Sequence, residues 1–565
     1  MKIRTKAMLW LHIIRWLATR NRWNTHYTCS VPENPKFMSA RDAVSKIPDG
    51  AVMAFSGLGG NQWVSIIYRA MRELYQETGR PKDITAILIG GNGSRGRAPG
   101  SIEEIGVEGL CTRFFTGHME TFKSLLKLGA AGKAELQVLP QGVMALLIEA
   151  QGRGEKSILI ETGVGTFMDP RVGMGSPLVG TDQWVTPEGD KLRYRLPDIN
   201  VAAFNAPAAD RKGNIYVKNC AMIGESMEIS RAARKNGGYV IANVAQVVEE
   251  GYDEIFMTAD EVDAIVVYPR TQQAAAIEHK KYWPMFTVNS DRSVEEGAEL
   301  LKYVNQTLGI TPRRSKVDNA LARLAATMFT EHTDAGSLVN IGIGLPEEVC
   351  RLISEAGLSS SVRFFSESGV MGGLPAPGVW FGAGICPEEI ISSAQVFHRV
   401  YEHLDASILG MLEFDPAGNV NVSKRGEGPL NYVGPGGFID FSSTARNVFF
   451  VCSWMVHGGM AIEDGNLKIV KRNPIKLVEK VAEITFNGKS ALERNQNVFY
   501  ITNVGVFKLT PDGLELIRVV PGVDIRKDIL EPSNNTILVP ESGEVPVVDR
   551  SIMTGENFTL SLKRK

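Results

Sequence analysis

The residue with the clearest potential for chemistry is Glu367, which lies in the run Ser366-Glu367-Ser368-Gly369. The apolar residues before this run predict a strand over residues 362–365, and Gly369 permits a sharp turn directly after it. Ligands of open α/β sheets bind outside the carboxyl ends of the strands, so a side chain at this position faces the crevice. Glu367 is therefore a candidate nucleophile, although a glutamate beside a glycine turn is usually an exposed surface charge.

The patterns of other catalytic and metal-binding sites are missing. Two glycine turns, over residues 57–62 and 342–347, lack the third glycine of the dinucleotide fingerprint, and there is no GxxxxGK[ST] motif. Because no GxSxG, HExxH or Cys/His cluster occurs, the sequence predicts neither a serine nucleophile nor a metal site. The glycine turns leave two interpretations open: exposed N–H groups that bind an anion or a developing oxyanion, or tight turns that simply need glycine.

Two parts of the chain share one order of predicted elements, and this order predicts the fold. The predicted strands cover residues 51–55, 84–89, 337–341 and 362–365, and the predicted helices cover residues 39–47, 66–74, 321–328 and 349–353. Each part also has an Asp-x-x-Gly-Asn turn after a strand, at residues 210–214 and 415–419. We therefore predict an α/β fold, with two tandem homologous open α/β domains whose sheets are mostly parallel. The counterpart of Glu367 in the first part would be Gly91 or Asn92, which carry no carboxylate.

The predicted organisation has three parts. Residues 1–37 form a basic amphipathic extension, residues 38–310 the first domain, and residues 311–565 the second domain, which carries Glu367. In the extension, Leu9, Ile13, Trp16 and Leu17 share one helical face, but the segment is too short and interrupted to span a bilayer and lacks a secretory cleavage signal. We favour a non-native or upstream-initiated extension over an organellar presequence, because no serine precedes residue 30, and leave it outside the predicted fold.

The amino-acid composition limits the classes of protein to which the chain can belong. The chain has 565 residues, of which 44% are hydrophobic and 22% charged, which is typical of globular proteins and excludes disordered and collagen-like chains. A net charge of −2 gives no basic field that would attract nucleic acid, and we predict no nucleic-acid partner and no membrane span. The six cysteines form no CxxC pair, which favours a reducing compartment, so we expect a cytoplasmic protein.

A wider set of motifs, in one order over some five hundred residues, accompanies Glu367. These motifs are Pro140-Gln141-Gly142, Gly163-Val164-Gly165-Thr166-Phe167 with Asp169-Pro170-Arg171, Ser366-Glu367-Ser368-Gly369, Gly434-Pro435-Gly436-Gly437-Phe438-Ile439-Asp440, and Pro521-Gly522-Val523-Asp524 with Lys527-Asp528-Ile529-Leu530. In this set the chain resembles the family I coenzyme A transferases, most closely the single-chain acetate/propionate CoA-transferase subgroup. The Glu-Ser-Gly sequence departs from the Glu-Asn-Gly that is typical of ketoacid transferases, which favours the acetate/propionate branch.

The resemblance implies a function and a set of site residues. It implies that CoA moves between short-chain acyl-CoAs and free carboxylates by a ping-pong mechanism, with Glu367 as the nucleophile that forms a glutamyl-CoA thioester. It further implies an active site between two α/β domains, Gly436 and Gly437 at its border as oxyanion donors, and Gln141 on the substrate side, although structural roles for these three residues are as well supported. The family also implies a homo-oligomer with small-molecule substrates, and CoA enters as a substrate with no permanently bound cofactor. An acyl-CoA hydrolase on the same scaffold and a non-catalytic regulator that reuses the fold are the alternatives.

Overall fold

Two nine-stranded sheets dominate the computed structural model, which describes residues 3–29, 31–96, 99–309, 313–540 and 542–562. The α-helices are α1 (Ile3–Thr19), α2 (Ala40–Ser45), α3 (Ser65–Thr78), α4 (Lys123–Ala130), α5 (Gln141–Arg153), α6 (Ser226–Lys235), α7 (Val294–Thr307), α8 (Lys316–His332), α9 (Glu347–Glu355), α10 (Ser393–Glu402), α11 (Phe438–Thr444), α12 (Gly488–Glu493) and α13 (Arg550–Thr554).

The strands are short, and many are fully buried. They are β1 (Val52–Phe55), β2 (Ile84–Leu88), β3 (Cys111–Thr116), β4 (Glu135–Val138), β5 (Ile158–Ile160), β6 (Pro177–Val179), β7 (Val185–Glu188), β8 (Lys191–Tyr194), β9 (Val201–Asp210), β10 (Ile215–Tyr216), β11 (Tyr239–Val248), β12 (Ala264–Val267), β13 (Gln272–Ala274), β14 (Ile277–Glu278), β15 (Leu338–Ile341), β16 (Arg363–Phe365), β17 (Val370–Met371), β18 (Leu374–Pro375), β19 (Gly384–Ile385), β20 (Glu389–Ile390), β21 (Ala406–Gly410), β22 (Glu413–Phe414), β23 (Val420–Asn421), β24 (Asn447–Val451), β25 (Gly459–Glu463), β26 (Asn466–Lys471), β27 (Asn497–Ile501), β28 (Gly505–Thr510) and β29 (Gly513–Val519).

The two large sheets share a core of five parallel strands. The first sheet has the order β12-β11-β9-β1-β2-β3-β4-β6, with β10 beside β9, and the second has the order β20-β17-β16-β15-β21-β24-β27-β28-β29. The strands β2-β1-β9-β11-β12 of the first sheet and β16-β15-β21-β24-β27 of the second are parallel throughout. Antiparallel pairs lie at the margins of the sheets, apart from β10, which pairs with the central strand β9. The prediction of an α/β fold with mostly parallel sheets is confirmed.

Strand register corrects one correspondence between the halves. Val201 of β9 and Ala406 of β21 each lie nine residues before the aspartate of an Asp-x-x-Gly-Asn turn. When Val201 and Ala406 are aligned and the strand pairing is followed from them to β2 and β16, Ile89 is the counterpart of Glu367. The expected counterpart, Gly91 or Asn92, therefore lies two or three residues beyond Ile89. The sequence pattern shows where the glycine turn lies, but it does not show which residues of neighbouring strands pair. The first half still supplies no carboxylate there.

The helices fix the relation of the two halves. In each half the helix before the first strand packs on the helix after it, α2 on α3 and α8 on α9. Between the halves, α5 packs against α10 and α11. The buried residues of both halves join in one hydrophobic core, so the two halves pack closely against each other. The predicted border between residues 310 and 311 falls on residues outside the described part of the chain and stays a prediction.

The N-terminal segment belongs to the fold, contrary to the expectation that it stands outside. Leu9 of α1 belongs to the main core and Ile13 is also buried, while Leu17, predicted on the same face, is exposed. None of the described helices has the length and apolar character needed to cross a membrane. Within the described residues, no three His, Cys, Asp or Glu side chains are grouped so that they could hold a metal ion.

Candidate active site

Glu367 lies in a tight turn at the carboxyl end of β16, two residues after the last residue of the strand. The amide of Gly369 donates to the carbonyl of Ser366 at 3.0 Å, and the amide of Ser366 donates to the carbonyl of Val370 at 2.9 Å, so the chain reverses into β17. Gly369 has φ +97°, and a Cβ there would overlap the carbonyl of Ile391. Only glycine fits this position, which is why the strand can end in so sharp a turn.

The carboxyl group of Glu367 is buried. Its side chain is only 7% exposed, unlike the usual glutamate beside a glycine turn. Burial raises the pKa of Glu367 from its ordinary 4.5 to about 7. The hydroxyl of Ser366, which donates to Oε2 at 3.4 Å, favours the ionised form, and the negative charge of Asp440 disfavours it. The site therefore holds a carboxylate that is poorly solvated and more basic than usual.

Asp440 of α11 joins the two halves beneath this carboxylate. The amide of Gly142, in the first turn of α5, donates to Asp440 Oδ2 at 3.0 Å, and the hydroxyl of Tyr401 donates to Oδ1 at 2.6 Å. Burial raises the pKa of Asp440 to about 7, while these hydrogen bonds favour its ionised form. A carboxylate from the second half thus caps the N-terminus of a helix of the first half.

The predicted border residues meet on the same side of the crevice. The amide of Gln141 donates to the carbonyl of Gly436 at 3.0 Å, and the amide of Gly436 donates to the carbonyl of Gly117 at 2.6 Å. Directly after Asp440, the ring of Phe441 lies 5.6 Å from that of Phe365, the last residue of β16. The structure therefore brings the loop around Gly436 and the start of α5 to the end of the strand that precedes Glu367.

The two glycines differ in what they can offer a substrate. The amide of Gly436 is engaged with the carbonyl of Gly117, whereas the amide of Gly437 has no acceptor among the described residues. Gly437 is the N-cap residue of α11, directly before its first residue, and a Cβ on it would lie 2.5 Å from the ring of Phe441. Steric crowding therefore explains part of the requirement for glycine at position 437. Of the two amides, the free N–H of Gly437 is the one that can donate to an oxyanion. The side-chain Nε2 of Gln141 is buried and has no acceptor in the described part of the chain.

Glu225 is a further buried carboxyl group, and the sequence alone does not single it out. It precedes α6, is 2% exposed, and burial raises its pKa to about 8. The hydroxyl of Ser393 donates to its Oε2 at 3.3 Å, and its Oε1 has no partner among the described residues. The backbone of residues 391–393 separates it from Gly369. No sequence signal beyond a glutamate among small residues distinguishes Glu225, since its burial depends on contacts between the halves.

Comparison with known proteins gives a consistent result. No protein-family model matches the chain. The chain is 31% identical over 519 residues to the caffeate CoA-transferase of Acetobacterium woodii, an alignment that covers 89% of this chain and 94% of that protein. It is 29% identical over 529 residues to the acetate CoA-transferase YdiF of Escherichia coli K12, covering 91% and 94%. The crystal structure of the acyl-CoA transferase YdiF of E. coli O157:H7, a thioester complex with CoA, matches with a TM-score of 0.81 and 26% identity over 94% of this chain and 98% of that one.

Proposed function

The chain belongs to the family I CoA-transferases, and from this premise we propose that it moves CoA between short-chain acyl-CoAs and free carboxylates through a covalent intermediate on Glu367. As a CoA-transferase it uses CoA as a substrate. The observation that carries the proposal is the burial of the Glu367 carboxyl group close to where the two halves contact each other. Burial of a carboxylate costs free energy. This cost is explained if the carboxylate is a nucleophile that must be kept from water.

The proposed reaction begins with an attack of the Glu367 carboxylate on the thioester carbonyl of the acyl-CoA. The C–S bond breaks, which gives an acyl-glutamyl anhydride and the CoA thiolate. The thiolate then attacks the glutamyl carbonyl, so that a glutamyl-CoA thioester forms and the first carboxylate leaves. An acceptor carboxylate attacks this thioester, and the released thiolate takes the new acyl group from the anhydride, which restores Glu367. A serine in this position would form an ester, and a cysteine would hold the acyl group without carrying CoA.

The surroundings of Glu367 support this role. Desolvation raises the pKa of the carboxyl group to about 7, so the ionised form is a stronger nucleophile than an exposed glutamate. We propose that the free amide of Gly437 donates to the oxyanion of each tetrahedral intermediate, a contribution typically worth a ~100- to 1,000-fold rate effect. The unpaired Nε2 of Gln141 is proposed to bind a substrate oxygen, because a buried donor without an acceptor is costly unless a ligand supplies one.

The proposed acyl group is small. Beside the turn that carries Glu367, Leu58, Met222 and Val370 form a compact buried apolar cluster. Side chains packed this closely favour acetate and propionate over a bulky aromatic acid. The relatives themselves differ: one is named an acetate CoA-transferase and another a caffeate CoA-transferase. Competition assays in which acetate, propionate and caffeate are offered together to the CoA-loaded enzyme decide the matter, and we expect the two short acids to be the preferred acceptors.

Dependence of the reaction on a carboxylate acceptor distinguishes the proposed transferase from the alternative, an acyl-CoA hydrolase. A transferase consumes more than one equivalent of propionyl-CoA per active site only when a carboxylate acceptor is present, whereas a hydrolase continues to release free CoA into water without one. We expect the loss of propionyl-CoA to depend on added acetate and free thiol to stay near the background level. The closed surroundings of Glu367 support this expectation, since water has little room beside the thioester.

Assembly and compartment are further parts of the proposal. We propose a homo-oligomer, as is common in the family. The cytoplasm is the proposed compartment, because all six cysteines are unpaired in the structure and a reducing environment preserves free thiols.

A further inference from the structure

The N-terminal helix α1 has two different faces, of which one is bound to the body of the protein. Leu9 and Ile13 are buried in the core, and the ring of His12 lies 5.9 Å from that of Trp283. The ammonium group of Lys6 lies 5.2 Å above the ring of Tyr303. These contacts give α1 a defined inner face.

The segment after α1 holds this orientation. The guanidinium of Arg270 donates to the carbonyl of Thr19 at 2.7 Å, and the ring of Trp23 stacks on Tyr268 at 5.9 Å. Farther along, the hydroxyl of Thr25 donates to the carboxylate of Glu73 at 2.8 Å. Because the connection is fixed by aromatic and polar contacts, the outer face of α1 is presented in one direction.

The outer face is apolar, although it is turned to solvent. Its members, which we call the outer row, are Ile3, Trp10, Leu11, Ile14 and Leu17, each between 46% and 87% exposed. At about 100° per residue these five side chains cover an arc of about 120°. Single exposed apolar side chains are ordinary, but a continuous row on one helix marks an interaction surface.

The charges around the outer row indicate its partner. Arg4 and Arg15 border the row on one side and Lys6 on the other. Arg15 lies 3.7 Å from the carboxylate of Glu278, yet its side chain is 56% exposed and can still reach a surface in front of the row. An apolar stripe with a tryptophan and flanking basic side chains is the pattern of a helix that lies in a membrane interface. A second copy of the chain is the poorer partner, because a twofold pairing of the rows would bring like charges together.

We propose that α1 docks this enzyme on membrane surfaces that contain anionic lipid. The helix lies in the plane of the interface, with the outer row among the acyl chains and the arginines at the phosphates. The body of the protein stays in water, bound to α1 through Leu9 and Ile13. This docking is independent of the chemistry proposed for Glu367.

Cosedimentation of the full chain with vesicles tests the proposal. The wild type should bind vesicles of phosphatidylcholine mixed with phosphatidylglycerol and should bind pure phosphatidylcholine vesicles much less. The double variant Leu11→Ser/Ile14→Ser should partition onto these vesicles roughly tenfold less or weaker still, because it removes apolar area that the bound helix would bury in the membrane. Arg4→Gln/Arg15→Gln should lose the preference for anionic lipid. The matched control is Val470→Ser, an apolar residue on the hairpin β25–β26 that is 72% exposed.

The variants should keep wild-type CoA transfer, since α1 lies outside the proposed catalytic groups. Equal binding of the wild type to both vesicle types, or unchanged binding of Leu11→Ser/Ile14→Ser, would overturn the proposal. A fall in oligomeric mass by light scattering in that double variant, without vesicle binding by the wild type, would assign the outer row to self-association instead.

Discussion

Replacing Glu367 by glutamine should stabilise the protein at alkaline pH, at the expense of its activity. In the folded protein the pKa of Glu367 is about 7, against an ordinary value of 4.5. Because the folded state binds this proton more tightly, the linked stability is fully present below pH 4.5 and is lost as the pH rises through about 7. Glu367→Gln has no such proton and keeps the shape of the neutral side chain.

The magnitude follows from the difference between the two pKa values. Each tenfold change in proton affinity is worth about 1.4 kcal/mol, so the ionised carboxyl group costs the folded state roughly 3 kcal/mol at pH 8. In urea unfolding from pH 4 to pH 8.5, Glu367→Gln should gain up to about that amount over the wild type at the alkaline end, and the difference should shrink toward the acid end. Glu427, whose side chain is 91% exposed, supplies the matched control Glu427→Gln, which should show no such trend. A difference that is independent of pH would refute the burial argument.

Other expected outcomes concern rates. The kcat/KM for propionyl-CoA should rise with pH through about 7, as the Glu367 carboxylate forms, and Asp440→Asn should move this acid limb to lower pH because it removes a negative charge that raises the pKa of Glu367. Gly437→Ala should lower kcat ~100-fold or more, since the added Cβ would lie 2.5 Å from a phenylalanine ring and would displace the proposed oxyanion donor. Gly410→Ala, where a Cβ would meet nothing within 4 Å, is the control and should keep the wild-type rate.

Local patterns were enough to place Glu367 at the end of a strand. An apolar run followed by a glycine predicts both the end of β16 and the turn after it, because strand burial and positive φ leave strong signals. The shared succession of helices and strands along the two halves could likewise be predicted from their repeated pattern, which includes the Asp-x-x-Gly-Asn turns. The exact pairing of residues between neighbouring strands could not be predicted. The sequence pattern therefore indicates Gly91 or Asn92 as the counterpart of Glu367, whereas the strand register gives Ile89.

Contacts between distant residues explain what the sequence could not predict. The bond between Gly142 and Asp440 joins positions 298 residues apart, and no local pattern indicates which helix N-terminus an aspartate will cap. The availability of the Gly437 amide and the engagement of the Gly436 amide depend in the same way on where residue 117 lies. On α1, hydrophobic periodicity placed Leu17 with Leu9 and Ile13, but only tertiary packing decides which part of an apolar arc is buried.

The proposed reaction requires CoA to become covalently bound to Glu367. The most direct test is intact and peptide mass spectrometry of the protein after mixing with propionyl-CoA in the absence of an acceptor. We predict an adduct of CoA mass on the peptide that contains Glu367, sensitive to hydroxylamine and absent from Glu367→Gln. An adduct on another residue, or transfer to acetate by Glu367→Gln at the wild-type rate, would contradict the account.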